Sequence, residues 1–159
     1  KCVVDDGFID GELVAEKGKA LFERGKYSYP EEYRHAVNLD KIDESALKIA
    51  AEGTVKAHVI EVIPAKTSTV DKTVEMTAVN GELKADPARD IMKACVFERH
   101  HRTGNVGKGF ISGFGIKDGA LAQTVAHDAH NLLVVGTNDS DMAIAVNTLM
   151  DWGGGLVAV

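Results

Sequence analysis

The last twenty-eight residues restrict the possible architecture more than any other stretch. Leu132-Leu133-Val134-Val135-Gly136 is an apolar run of strand length. Asn138-Asp139-Ser140-Asp141 supplies an N-cap and an acidic first turn. Met142, Ile144, Ala145, Val146, Leu149 and Met150 then recur at helical spacing until Gly153-Gly154-Gly155 ends the helix. Leu156-Val157-Ala158-Val159 follows directly as another strand. A strand, a helix over 139–151 and a strand over 156–159 imply a right-handed crossover and a locally parallel pair.

Upstream, the pattern is mostly β. Val55–Ile63 alternates as a strand ended by Pro64, and Ile91–Arg99 reads as another. Val74–Val79 and Glu82–Lys84 straddle Asn80-Gly81, the strongest short hairpin signal in the chain. Phe110–Ser112 and Ala120–Ala126 are further short runs. Residues 43–50 read as a brief helix with Asp43 as N-cap, stopped by Gly53. The fold class is therefore α+β: a mostly β mixed sheet with one strand-helix-strand crossover near the carboxy terminus.

At the other end, Cys2-Val3-Val4, a turn at Asp5-Asp6-Gly7 and Leu13-Val14-Ala15 suggest the tail of a small β-sheet, and residues from Leu21 to Arg34 read as a connection. Beginning abruptly with a strand and no initiator Met, the chain reads as a piece of something longer. A length of 159 residues suits one domain with a small appendage, and 45% apolar with 26% charged residues is ordinary globular composition. The net charge of -6 and the lack of a basic run argue against a nucleic-acid or membrane-surface partner. With no signal pattern and no apolar stretch near the roughly 20 residues of a membrane span, the expected location is cytoplasmic. Cys2 and Cys95 are too few for a disulfide framework. Both read as reduced thiols, with Cys95 in the core.

The unusual chemistry is concentrated late. Residues 99–159 hold 10 of the 16 glycines and 4 of the 6 histidines but only 5 of the 24 acidic residues. His127-Asp128-Ala129-His130-Asn131 lies between two apolar runs, where core is expected, and each buried polar group left without a partner would cost roughly 1–3 kcal/mol. Two histidines three apart fall on opposite faces of a strand, so joint chelation requires a turn. An imidazole titrating near neutrality beside an Asp that fixes its tautomer suits a proton shuttle. The same residues also fit a polar turn that satisfies backbone groups.

Glu98-Arg99-His100-His101-Arg102-Thr103-Gly104-Asn105 ends a predicted strand and enters a Gly-rich loop, a common place for sites. Arg99 and Arg102 suit an anion or carboxylate, and His100 or His101 could join the other His pair; a solvated hairpin end is the alternative. Gly104–Gly109 lacks the Lys-Ser/Thr ending and the following helix of a phosphate loop. His35 and His58 stand alone and read as structural.

Taken together, Glu98-Arg99-His100-His101, Gly104–Phe110, Gly113-Phe114-Gly115-Ile116-Lys117-Asp118-Gly119-Ala120, Val125–Asn131, Val135–Ala143 and Gly153-Gly154-Gly155 resemble the carboxy-terminal domain of the bacterial adenine deaminases. The resemblance spans residues 21–159, and residues 1–20 resemble the end of the small β domain that amidohydrolases carry beside their barrel. It implies hydrolysis of adenine to hypoxanthine and ammonia at a divalent-metal centre (Mn, Fe or Zn) in a (β/α)8 barrel. This chain has no His-x-His pair and too few residues for such a barrel of typically about 250. The resemblance therefore implies a fragment or separately encoded domain, inactive alone, with no cofactor of its own and with metal ligands that cannot be assigned to it. Its partners would be the barrel of the same protein and adenine, and unpaired strand edges would also allow homo-oligomers. The expected catalytic residues are His127, Asp128 and His130; Arg99, His101 and Asn105 are expected to face substrate. Two other readings remain open: a structural module bracing the barrel, and a stand-alone metal-dependent hydrolase built on the His cluster.

Overall fold

The computed structural model describes residues 4–23 and 25–159, which fall into two units, Lys1–Pro30 and Glu31–Val159. Cys2 and Val3, with which the first expected strand begins, lie outside the described residues. In the smaller unit β1 (Asp6–Ile9), β2 (Glu12–Glu16) and β3 (Lys19–Ala20) form an antiparallel sheet in that order. The turn expected at Asp5-Asp6-Gly7 is instead the start of β1, with an irregular register between Gly7 and Phe8. Reversal occurs at Asp10-Gly11, whose φ of 50° and 86° suit the two-residue hairpin turn that Asp-Gly favours.

The larger unit is built on a seven-stranded sheet. Its strands are β4 (Thr54–Val62), β5 (Thr69–Thr77), β6 (Ile91–Phe97), β7 (Val106–Ser112), β8 (Ala120–Gln123), β9 (Leu132–Gly136) and β10 (Leu156–Ala158). The spatial order is β10-β8-β9-β6-β7-β4-β5. Every neighbouring pair is antiparallel except β4 with β7, so the sheet is mixed. Helix α1 (Asp139–Trp152) follows β9, capped by the Asn138 side chain, which accepts from the Asp141 N–H at 2.8 Å.

The crossover is present, but β9 and β10 are not hydrogen-bonded neighbours as expected. β8 lies between them and pairs antiparallel with both, which leaves β9 and β10 parallel to one another one strand apart. The parallel ladder is elsewhere, between β4 and β7. Two other expectations also change. Residues 43–50 form only a 3₁₀ turn over Glu44–Leu47, capped by Asp43, because Ile49 and Ala51 are drawn into extended hydrogen bonding with Leu83 and Gly81. Asn80-Gly81 does turn with positive φ, but Glu82 returns only an isolated bridge to Val79. The long partner of β5 is β4, in register from Thr54 opposite Thr77 to Val62 opposite Thr69.

The register sorts the sheet into two unlike faces. On one, Cys95, Phe97, Leu132, Val134, Ala120, Ala122 and Val157 pack under Met142, Ala145, Val146 and Leu149 of α1. Farther along the same face Val59, Met76, Ile91 and Phe110 pack with Leu83 in a second cluster. Between the clusters lies Lys93, only 1% exposed, whose Nζ donates to Asp139 Oδ1 at 2.5 Å in the first turn of α1. Asn147 of α1 closes the layer. Its Oδ1 accepts from the Ile42 N–H at 3.0 Å, and its Nδ2 donates to the Ile42 carbonyl at 2.8 Å.

Candidate functional site

Pairing of Phe97 with Leu132 sets the end of β6 beside the start of β9, so the loop leaving one strand adjoins the loop entering the other. These are residues 98–105 and 124–131, the two stretches singled out in the sequence. Arg99 joins them. Its Nε donates to the His130 carbonyl at 2.5 Å, and its Nη1 donates to the Ala36 carbonyl. His100 adds a second tie, with Nε2 at 2.9 Å from the Ala129 carbonyl. The backbone of 36–38 completes the junction: Asn38 N–H donates to the Arg99 carbonyl at 2.8 Å, and Asn38 Nδ2 donates to the His100 carbonyl at 2.9 Å.

The 98–105 loop is wound on one carboxylate. Glu98 Oε1 accepts from the N–H groups of His100 at 2.6 Å and His101 at 3.0 Å. Oε2 accepts from the Thr103 N–H at 3.2 Å and from its hydroxyl at 3.0 Å. Desolvation pushes the Glu98 carboxyl up, but the donors from His101, Thr103 and His100 together with the Thr103 hydroxyl outweigh it and bring the pKa down to about 2. Beside the loop, a cleft of about 410 Å³ is lined by Asn105, Gly104, Thr103 and Arg102 on one side and Leu39, Asp40 and Ile42 on the other. Arg102 pairs with Asp40, and its guanidinium holds that carboxyl below the usual range.

The second loop departs from expectation in burial. The residues between the two apolar runs are not enclosed: the side chains of His127 and Asp128 are 90% and 93% exposed, and His130 is exposed too. The reason is that β8 stops at Gln123, so the chain leaves the sheet earlier than the apolar run to Ala126 suggests. Residues 127–129 turn, the His130 N–H donates to the Ala126 carbonyl at 2.6 Å, and His130 takes φ 50°. The turn that joint action of the two histidines requires is present, while the expected burial penalty does not arise. Asp128 Oδ1 lies 2.8 Å from His127 Nδ1.

The structure thus gathers Arg99, His100 and His130 through backbone contacts and couples His127 to Asp128. His101 stands with its ring 6.3 Å from that of His100, and Asn105 faces the cleft. Among the described residues no group of three or more His, Cys, Asp or Glu side chains is placed to hold a metal ion. Asp128, the one carboxylate within the His-rich loop, is turned to His127, so the residues present do not fit a metal centre. Two features escaped the sequence reading. Glu98 was visible as an acid followed by polar N–H donors and a Thr five residues on. Lys93 was visible as a cation in register with Ile91, Cys95 and Phe97, a position that demands a buried counter-charge.

Residues 66–159 match the family described as "Adenine deaminase C-terminal domain". The chain belongs to this family. An adenine deaminase of Clostridium botulinum (strain Loch Maree / Type A3) is 51% identical over 154 residues, covering 95% of this chain and 26% of that protein. Adenine deaminases of Moorella thermoacetica and Staphylothermus marinus are 42% and 44% identical, covering 100% and 94% of this chain and 27% and 26% of their own lengths. The chain therefore spans about a quarter of the relatives it matches. The family match reaches from the turn before β5 to the carboxy terminus, and so includes both His-bearing loops. No helix among the described residues is long and apolar enough to cross a membrane.

Proposed function

We propose that this chain is the carboxy-terminal domain of an enzyme that hydrolyses adenine to hypoxanthine and ammonia, and that it lends the 98–105 and 124–131 loops to a site completed by a metal-bearing amidohydrolase barrel. The observation that carries this reading is the Arg99 bridge. It sets the Glu98-wound loop and the His127–His130 turn at one end of the sheet, within a domain that resembles adenine deaminases at up to 51% identity. The hydrolytic metal chemistry belongs to the barrel. This chain's part is to hold or move a proton: the Asp128 carboxylate lies beside His127 Nδ1, and His130 presents a second imidazole from the same turn. Arg99 positions these groups through the backbone, and His101 and Asn105 flank the substrate's approach. The proposed division of the sequence is 1–20 with the small β domain and 21–159 with the carboxy-terminal domain, in a cytoplasmic enzyme.

His130 provides a clean test, because its φ of 50° is a conformation that costs an L-residue about 1–2 kcal/mol and glycine almost nothing. In the complete protein, His130→Gly should keep the melting temperature while turnover of adenine falls about 100-fold. Unchanged turnover would remove His130 from the site. A structural bracing role alone predicts no loss of turnover in either His127→Gln or His130→Gly.

A further inference from the structure

The face of the large sheet opposite α1 carries no helix among the described residues; Met92 and Val135 on it are buried, at 0% and 2% exposed, and the rest is half-buried or open. Register places Met92, Ala94 and Val96 of β6 on it, with Gly107, Gly109 and Ile111 of β7 beside them. Leu133 and Val135 of β9, Leu121 and Gln123 of β8, and Leu156 and Ala158 of β10 continue it. Across those five strands this face holds no charged side chain. Val96, Leu121 and Leu156 remain 38%, 39% and 68% exposed, and Phe114 curls over one end to leave a groove of about 130 Å³. The outer two strands differ: β4 and β5 present Lys56, His58, Asp71 and Glu75 on the same side. A largely apolar area bordered along one side by charged strands fits a surface that makes contact with a partner.

We infer that this uncharged face of β10-β8-β9-β6-β7 is the docking surface for the part of the same polypeptide that the relatives carry beyond the matched region. The inference rests on the proposed joining of this chain to a barrel, and it names the side by which the two are joined. The occupant follows from length and tethering. The relatives hold roughly three quarters of their residues outside the region matched by this chain. A tethered partner acts at an effective concentration near the millimolar range, which a second copy at cellular levels does not approach. Gly107 and Gly109 add a stereochemical reason. With no side chain on this face, and no atom within 4 Å of a Cβ built at Gly109, they leave a shallow trough beside Ala94 into which a partner's side chains can seat.

Thiol labelling of the complete protein tests this. Val96→Cys and Leu121→Cys are made singly, with Ile144→Cys on the exposed side of α1 as reference, and each modification is read by peptide mass spectrometry in native and urea-denatured protein. Val96→Cys is a near-isosteric change; should Leu121→Cys fail to fold, Leu156→Cys replaces it at the rim. Docking predicts native labelling slowed about 100-fold or more at the sheet positions, unchanged on dilution to the monomer, with Ile144→Cys labelled freely. Free labelling at Val96 and Leu121 in the native protein overturns the inference. Protection that disappears on dilution to the monomer also overturns it and assigns the face to a second copy. Labelling does not depend on adenine turnover, so failure of the adenine assignment leaves this result readable on its own.

Discussion

Glu98 shows at the residue scale how a loop is made into a platform. Its folded pKa of about 2 lies below the ordinary glutamate value of 4.5, so the carboxylate's stabilising contribution is fully present above pH 4.5 and is lost as pH falls toward 2. Protection of the His100, His101 and Thr103 amides, taken relative to the intrinsic exchange rate at each pH, should therefore fall between those pH values in the wild type, ahead of the core strands. In Glu98→Gln, exchange at these amides should be fast already at neutral pH; an unaltered pattern would mean that other contacts hold the loop. Lys93 and Asp139 are the opposite case, a pair closed off from water, in which removal of one partner strands the other. Asp139→Ala should cost about 3–5 kcal/mol in urea unfolding, since it leaves Lys93 buried without its partner, removes the Lys84 contact at 3.3 Å and leaves the first helical turn with Asp141 as its acid. A loss under about 1 kcal/mol would show that the pair is solvated. Cys95 completes the buried set: desolvation, against opposing charges from Lys93 and Lys108, raises its thiol to about 11. It should resist alkylation at pH 8 in the folded protein, and prompt reaction there would argue that the core opens.

At the scale of elements, Gly136 fixes how α1 meets the sheet. It pairs with Lys93 and Ala120 on the helix-facing side, and a Cβ added to it would lie 2.4 Å from Met142 Cγ and 3.0 Å from the Ala120 Cβ. Gly136→Ala should cost about 1–3 kcal/mol, and Met142→Ala in the same chain should recover part of that loss; strictly additive losses in the double variant would contradict the clash. Elements of this kind were the legible part of the sequence. The α1 helix announced itself through Asn138, the acidic first turn and the glycine stop, and β4, β6 and β9 through alternation or apolar runs, because each signal is local. Less was legible where distant segments compete. Asn80-Gly81 makes its turn, but the pairing of β5 is decided by nine residues of β4 that no local signal points to. The insertion of β8 between β9 and β10 is likewise a matter of long-range pairing. In the candidate site, the His residues were visible as a cluster, whereas their exposure was not: an apolar run to Ala126 reads as strand, and only the pairing of β8 shows where it stops.

At the scale of the whole chain, the larger unit has a sheet covered on one side by α1 and the 42–51 segment, with His-bearing loops at one end and, across five of its seven strands, no charged side chain on the other side. The chain corresponds to about a quarter of the adenine deaminases it resembles, and its described residues include no cluster fit for a metal. The central proposal is that the chain supplies part of a deaminase site and not the whole. Ammonia release from adenine tests it most directly, measured for the 159-residue chain alone and for the same chain within the complete protein, each supplied with Mn²⁺, Fe²⁺ or Zn²⁺. The account predicts no turnover by the chain alone and turnover of about 1 per second or more by the complete protein. Enzyme-like ammonia release by the isolated chain would contradict it, as would a folded, metal-loaded complete protein that leaves adenine unchanged.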